Sequence, residues 1–201
     1  MLLNEIFNSD KSDQRWTDQL QALIDKHGLK KFSGNQATVI TSDDSTSVYR
    51  IWARDPGYEK WLAVAEKMQS NPHVMKIKGR MRTVPTQFKG MPKDVKLRFV
   101  KLEKLAPIRD DEINELVIAA DHILSGWSIS ERNEHDVDSF IATIMAELER
   151  DENLPHMKEL AEKHRSFLET VLEVSRNGFN DFHEENVMLR GDTLVITDPA
   201  G

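Results

Sequence analysis

The chain contains no cysteine. That removes disulfides, thiolate nucleophiles and zinc–thiolate sites from consideration, and with them a disulfide-stapled secreted scaffold. No apolar run approaches the ~20 residues needed to span a bilayer. The first residues, Met1 to Ser12, carry acids and amides early and have no apolar stretch of signal-peptide length. A cytoplasmic protein without membrane association is the expectation. An excess of positive charge is also missing: 27 Lys and Arg stand against 34 Asp and Glu, a formal charge of -7. This argues against sequence-independent binding of nucleic acid, which needs clustered cations on phosphate. One local basic patch escapes that argument, because Lys76, Lys78, Arg80 and Arg82 alternate along a single segment. Internal repeats and low-complexity tracts are lacking too. What is present, 39% hydrophobic and 30% charged residues, excludes a disordered or fibrous chain. At 201 residues there is enough chain for one filled domain or two small lobes.

Apolar periodicity divides the chain. Trp16, Leu20, Leu23, Ile24 and His27 fall on one helical stripe ended by Gly28. From Leu29 to Trp52 the texture is β-rich, with strands predicted at Thr38–Thr41 and Val48–Trp52 around the turn residues Ser42 to Ser45. Asp55-Pro56 then opens a helix, an acid as cap and proline in the first turn. Its buried face would be Tyr58, Trp61, Leu62, Ala65 and Met68. Strand-like segments follow at about Val74–Val84 and Lys96–Glu103. After Pro107 three apolar stripes predict helices: Ile113 to Trp127, Val137 to Leu148, and Met157 to Leu172. Gly126–His135 reads as a polar connection. Val187–Leu189 and Leu194–Ile196, around Gly191-Asp192, read as a tight hairpin. The fold class expected is α+β, with a strand-rich part at 29–105 and a helical part at 106–201, preceded by a helical extension at 1–28.

Chemistry concentrates near the C-terminal end. Asn180-Asp181-Phe182-His183-Glu184-Glu185-Asn186-Val187-Met188 is followed by Val195-Ile196-Thr197-Asp198-Pro199. The pattern is an acid on a polar loop, then an amide, then an acid just after a hydrophobic strand. Phosphoryl transfer needs such parts: a carboxylate that orients a hydroxyl and takes its proton, and oxygen ligands for Mg on the phosphates. Carboxylate and amide oxygens suit hard Mg, and Asn186 and Asp198 supply them.

The spacing resembles the kinase superfamily. Asp181 and Asn186 stand five residues apart, as the base Asp and metal Asn do in a kinase catalytic loop. Twelve residues further on, Asp198 matches the second metal-binding Asp. The form Asp-x-His-x-x-Asn is similar to aminoglycoside-phosphotransferase-type kinases, and the endings Asn-Val-Met-Leu and Ile-Thr-Asp-Pro are similar to the early serine/threonine kinases of short-tailed phages. The resemblance implies a small two-lobed kinase-like fold that binds ATP and Mg. Asp181 would be the base, His183 a loop-ordering or phosphate-contacting residue, and Asn186 and Asp198 the metal ligands. It also implies adenine bound by backbone groups near Glu103 and Leu105, a phosphate loop near Gly34, and Arg50 on the strand where the family has its phosphate-binding Lys. Glu66, or else Glu59, would pair with that cation.

The departures are specific. Arg50 is not interchangeable with Lys. Gly34 is one glycine where kinases have two or three, so fewer backbone N–H groups can approach phosphate. Asn180 stands where many protein kinases have Arg, so pairing with a phosphorylated activation loop is not expected. The sequence stops three residues after Asp198, which implies a truncated helical C-lobe without the distal helices that brace the catalytic loop. The function implied is a serine/threonine protein kinase acting on host proteins during phage infection, in the host cytoplasm. The alternatives are a catalytically inactive kinase fold that binds and inhibits a host partner, and a small-molecule kinase of the aminoglycoside type.

Overall fold

The computed structural model describes residues 25, 29–33, 37–41, 45–52, 54–85, 96–148, 157–183 and 185–200. The helix expected at 13–27 and the glycine loop at Gly34 lie outside these residues, except for the helical Asp25. The secondary structure is mixed α+β. The chain divides into two compact units, one of residues 1–56 and 76–104, the other of 57–75 and 105–201.

The first unit is an antiparallel five-stranded sheet. Its strands are β1 (Lys30–Ser33), β2 (Ala37–Thr41), β3 (Ser47–Trp52), β4 (Arg82–Pro85) and β5 (Lys96–Glu103), in the order β1-β2-β3-β5-β4. The β-branched and aromatic content of β2, β3 and β5 suits a pleated, packed surface. In the β3–β5 register Tyr49 faces Lys101, Arg50 faces Val100 and Ile51 faces Phe99. Ile40, Ile51, Trp52, Phe99 and Val100 are buried. The strand expected over Val74–Val84 is shorter than its apolar alternation suggests. Ile77 bridges to Leu102 in this unit, whereas Val74 bridges to Ile196 in the other. The segment changes partner between Met75 and Lys76, and a ladder cannot continue through that change.

The second unit begins with α1 (Pro56–Lys67) and then, after residue 104, runs through β6 (Ala106–Pro107), α2 (Asp111–Gly126), α3 (Ile129–Glu134), α4 (Val137–Leu148), α5 (Met157–Lys163), α6 (Arg165–Arg176), β7 (Val187–Arg190) and β8 (Thr193–Ile196). The helix α1 starts at the predicted proline, and its Tyr58, Trp61 and Ala65 are fully buried. It groups with the helices rather than with the strands that flank it in sequence. The Trp61 indole meets Phe179 edge-on at 5.6 Å and donates to Thr197 O at 2.7 Å. Burying a side chain of this size contributes about 2–3 kcal/mol.

The connection expected at Gly126–His135 contains α3, opened by a capping box in which Ser128 and Glu131 satisfy each other's backbone N–H groups. The third apolar stripe is broken at His164, whose φ of -102° and ψ of 17° are not helical. Periodicity alone does not register such a break, because the stripe resumes in phase. Strands β7 and β8 form the predicted hairpin, with Gly191 at φ 60° in a two-residue loop. Positive φ at the first loop position is what glycine supplies in such turns. No helix among the described residues is long and apolar enough to cross a membrane.

Candidate functional site

The loop carrying Asp181 is delivered by the end of α6. Gly178, at φ 86°, reverses the chain past the helix end, and its N–H closes on Ser175 O at 2.9 Å. Phe179 and Phe182 then insert into the core, at 3% and 1% exposure. These two apolar anchors leave the residues between and after them facing outward: Asn180 is exposed, and Asp181 and His183 are half-buried.

Within the loop the three polar side chains converge. Asn186 Nδ2 donates to Asp181 Oδ2 at 3.0 Å and to Asp181 O at 3.1 Å. His183 Nδ1 accepts from the Glu185 N–H at 3.2 Å, and its other ring nitrogen is Nε2. That atom lies 3.5 Å from Asp181 Oδ1 and 2.9 Å from Asn186 Nδ2. The Asp181 carboxylate thus has the Asn186 amide bonded to one oxygen and the His183 ring 3.5 Å from the other. The same network orients the Asn186 amide. With its nitrogen turned to two oxygens of Asp181, its carbonyl Oδ1 is left for a cation. No hydrogen bond among the described residues occupies that oxygen.

Asp198 is brought alongside by the hairpin. The Thr197 N–H and hydroxyl both donate to Asn186 O, at 2.8 and 3.0 Å, and the Asp181 N–H donates to Pro199 O at 3.3 Å. Backbone bonds on either side of Asp198 therefore tie it to Asn186 and to Asp181. Its Oδ1 is a buried oxygen. The donor set of one amide oxygen and one carboxylate fits Mg, which is held by one or two protein oxygens and fills its other positions with water and phosphate. Among the described residues no three His, Cys, Asp or Glu side chains are grouped so as to hold a metal.

Of the remaining predicted residues, Arg50 and Glu103 belong to the first unit, and Glu66 and Leu105 to the second. Arg50, on β3, donates to Asp55 Oδ2 at 3.2 Å, with side chains 15% and 4% exposed. Glu66 lies on the exposed side of α1, in the second unit. Glu103 accepts the Lys76 N–H on Oε1 at 2.5 Å and donates its own N–H to Lys76 O at 3.0 Å. Leu105 is half-buried just before β6.

The sequence did not point to Trp61, which fixes the carbonyl preceding Asp198, or to Asp121 on α2, whose Oδ1 accepts the Phe182 N–H at 2.6 Å. Neither carries a local signal. Trp61 reads as core, and Asp121 as one more acid on a solvated helix face. No protein-family model matches the chain, and no curated protein matches it significantly. The functional reading rests on the residues themselves.

Proposed function

We propose that this chain is an ATP- and Mg-dependent phosphotransferase of kinase type that transfers phosphate to serine or threonine hydroxyls of proteins. The observation that supports it most is the joint geometry of Asp181, Asn186 and Asp198. A carboxylate is held by an amide nitrogen, that amide's oxygen carries no hydrogen bond among the described residues, and backbone bonds anchor a second acid beside them. In the reaction an acceptor hydroxyl attacks the γ-phosphorus, the bond to the bridging oxygen breaks, ADP leaves, and the hydroxyl proton passes to Asp181. Asn186 Oδ1 and Asp198 would hold Mg, which neutralises charge on the phosphate oxygens. His183 keeps Asp181 in orientation. A host protein as acceptor rests on the resemblance to phage kinases.

The test is incubation of the pure protein with γ-labelled ATP, Mg and a bacterial lysate. Labelled protein bands are expected. Asp181→Asn should lower transfer by about 10²–10⁴-fold, the range of a positioned acid–base group, and Asp198→Ala should abolish the Mg-dependent part of the thermal shift given by ATP. No transfer and no Mg-dependent shift in the wild type would defeat the proposal.

One observation favours a second reading, the inactive binder. Arg50, the cation expected on the phosphates, is engaged by Asp55. A protein that captures a partner from the lysate without turning over ATP would support that alternative.

A further inference from the structure

We infer that α2 is the brace of the loop carrying Asp181, and that Asp121 is the positioning residue through which it acts. The inference rests on the phosphotransferase reading for its kinetic consequence, though not for its structural one. Three side chains from α2 and α3 take backbone groups of the stretch 179–182. Arg132 Nη1 donates to Phe179 O at 3.4 Å, Ser125 Oγ donates to Asn180 O at 3.4 Å, and Asp121 Oδ1 accepts from Phe182 N at 2.6 Å. Asp121 and Ser125 are four residues apart and so share one helix face.

The Asp121 bond differs from the other two in kind. It is short and charge-assisted, the stronger class of hydrogen bond, and it falls on the peptide unit joining Asp181 to Phe182. The carbonyl of that same unit accepts from Asn186 Nδ2 at 3.1 Å. One peptide group is therefore held at both ends, its N–H by α2 and its C=O by the amide beside the expected metal. A peptide so held cannot rotate without breaking one of the two bonds. Its rotation is what would change the backbone angle at Asp181 and swing the carboxylate. The bracing comes from a helix that precedes the loop in sequence.

The test compares Asp121→Ala, which loses the acceptor, with Asp121→Asn, which keeps an oxygen at the same place. The first readout is hydrogen exchange at the Phe182 amide in the full chain. Exchange should accelerate at least about tenfold in Asp121→Ala and stay near wild type in Asp121→Asn. The second readout is phosphoryl transfer. Asp121→Ala should lower kcat about 10- to 100-fold with KM for ATP nearly unchanged, and Asp121→Asn should restore most of kcat. A merely structural role would lower both variants' melting temperatures without this split. If Phe182 exchanges alike in wild type and Asp121→Ala, or if Asp121→Asn is as impaired as Asp121→Ala, the brace is refuted. If the wild type transfers no phosphate, the phosphotransferase reading fails, and the exchange measurement still decides the brace on its own.

Discussion

Arg132 makes the sharpest stability prediction. Its side chain is 5% exposed, and no carboxylate pairs with it among the described residues. The guanidinium donates instead to four carbonyls: Leu124 O at 2.6 Å, Trp127 O at 3.1 Å, Ser175 O at 3.1 Å and Phe179 O at 3.4 Å. Leu124 and Ser175 lie in the last turns of α2 and α6, where carbonyls lack intrahelical partners and the helix dipole is negative. The cation is thus stabilised by two helix ends rather than by an acid, and burial pushes its pKa below the ordinary value. Replacing Arg132 by Met keeps the length and removes the fork. Each lost charged hydrogen bond is worth about 1.5–3 kcal/mol, but relief of the buried cation's desolvation returns several. The Leu124 and Ser175 carbonyls also keep the N–H groups of Trp127 and Gly178. A net loss of about 3 kcal/mol follows, equivalent to a fall in Tm of roughly 10 °C. Arg132→Lys should recover less than half, since an ammonium cannot reach four carbonyls in a plane. Thermal unfolding followed by far-UV circular dichroism measures both. An Arg132→Met variant melting within about 2 °C of wild type would show that the fork contributes nothing net, and the reasoning would be wrong.

Other perturbations have equally definite signs. Burial first, then Lys163 and His73, lowers the His164 pKa below its ordinary 6.5, with Asp110 pulling the other way. Above pH 6.5 both folded and unfolded chains hold this ring neutral. As pH falls below 6.5 the unfolded chain takes up the proton first, so stability is lost progressively toward the depressed folded value. The fall in Tm between pH 7.5 and 5.5 should therefore be smaller in His164→Gln. Gly191→Ala should cost about 1–2 kcal/mol in urea unfolding, since φ is positive while nothing lies within 4 Å of the added carbon. Gly126→Ala, at an ordinary helix end with the same open surround, should instead stabilise by about 0.5 kcal/mol. Trp61→Phe keeps the ring contact but leaves Thr197 O without its donor. About 1–2 kcal/mol of stability should go with it, together with part of the Mg-dependent shift on ATP if Asp198 moves.

The elements legible in the sequence were those set by local rules. Strand β5 spans the predicted Lys96–Glu103, and α1 begins at Pro56 with Tyr58, Trp61, Leu62 and Ala65 buried as predicted, whereas Met68 lies past the helix end and is half-buried. The β7–β8 hairpin forms around Gly191-Asp192 because alternation and a two-residue glycine turn leave only one register. The convergence of Asp181, His183 and Asn186 follows from their nearness in one loop. What the pattern concealed depends on distant partners. Arg132 lies in the segment read as a polar connection and carried no signal of its own, because its acceptors at Ser175 and Phe179 lie 43 and 47 residues away. His73 carried no signal, yet it is buried between Leu194 O and the Ser166 hydroxyl, 2.8 Å from each. Asp55 was expected as a helix cap, and its carboxylate accepts from Arg50 five residues back.

The division of the chain bears on how it can be made. The helical unit is built from two separated stretches, 57–75 and 105–201. Its first stretch is closed by the last strand: Met75 donates to Ile196 O, Ile196 donates to His73 O, and Trp61 donates to Thr197 O. A nascent chain synthesised at about 5–20 residues per second has all five strands of the sheet once residue 104 is made. The buried faces of α1 must then wait for roughly ninety more residues before their partners exist. During that interval Tyr58 and Trp61 lack the native partners that the last strand supplies.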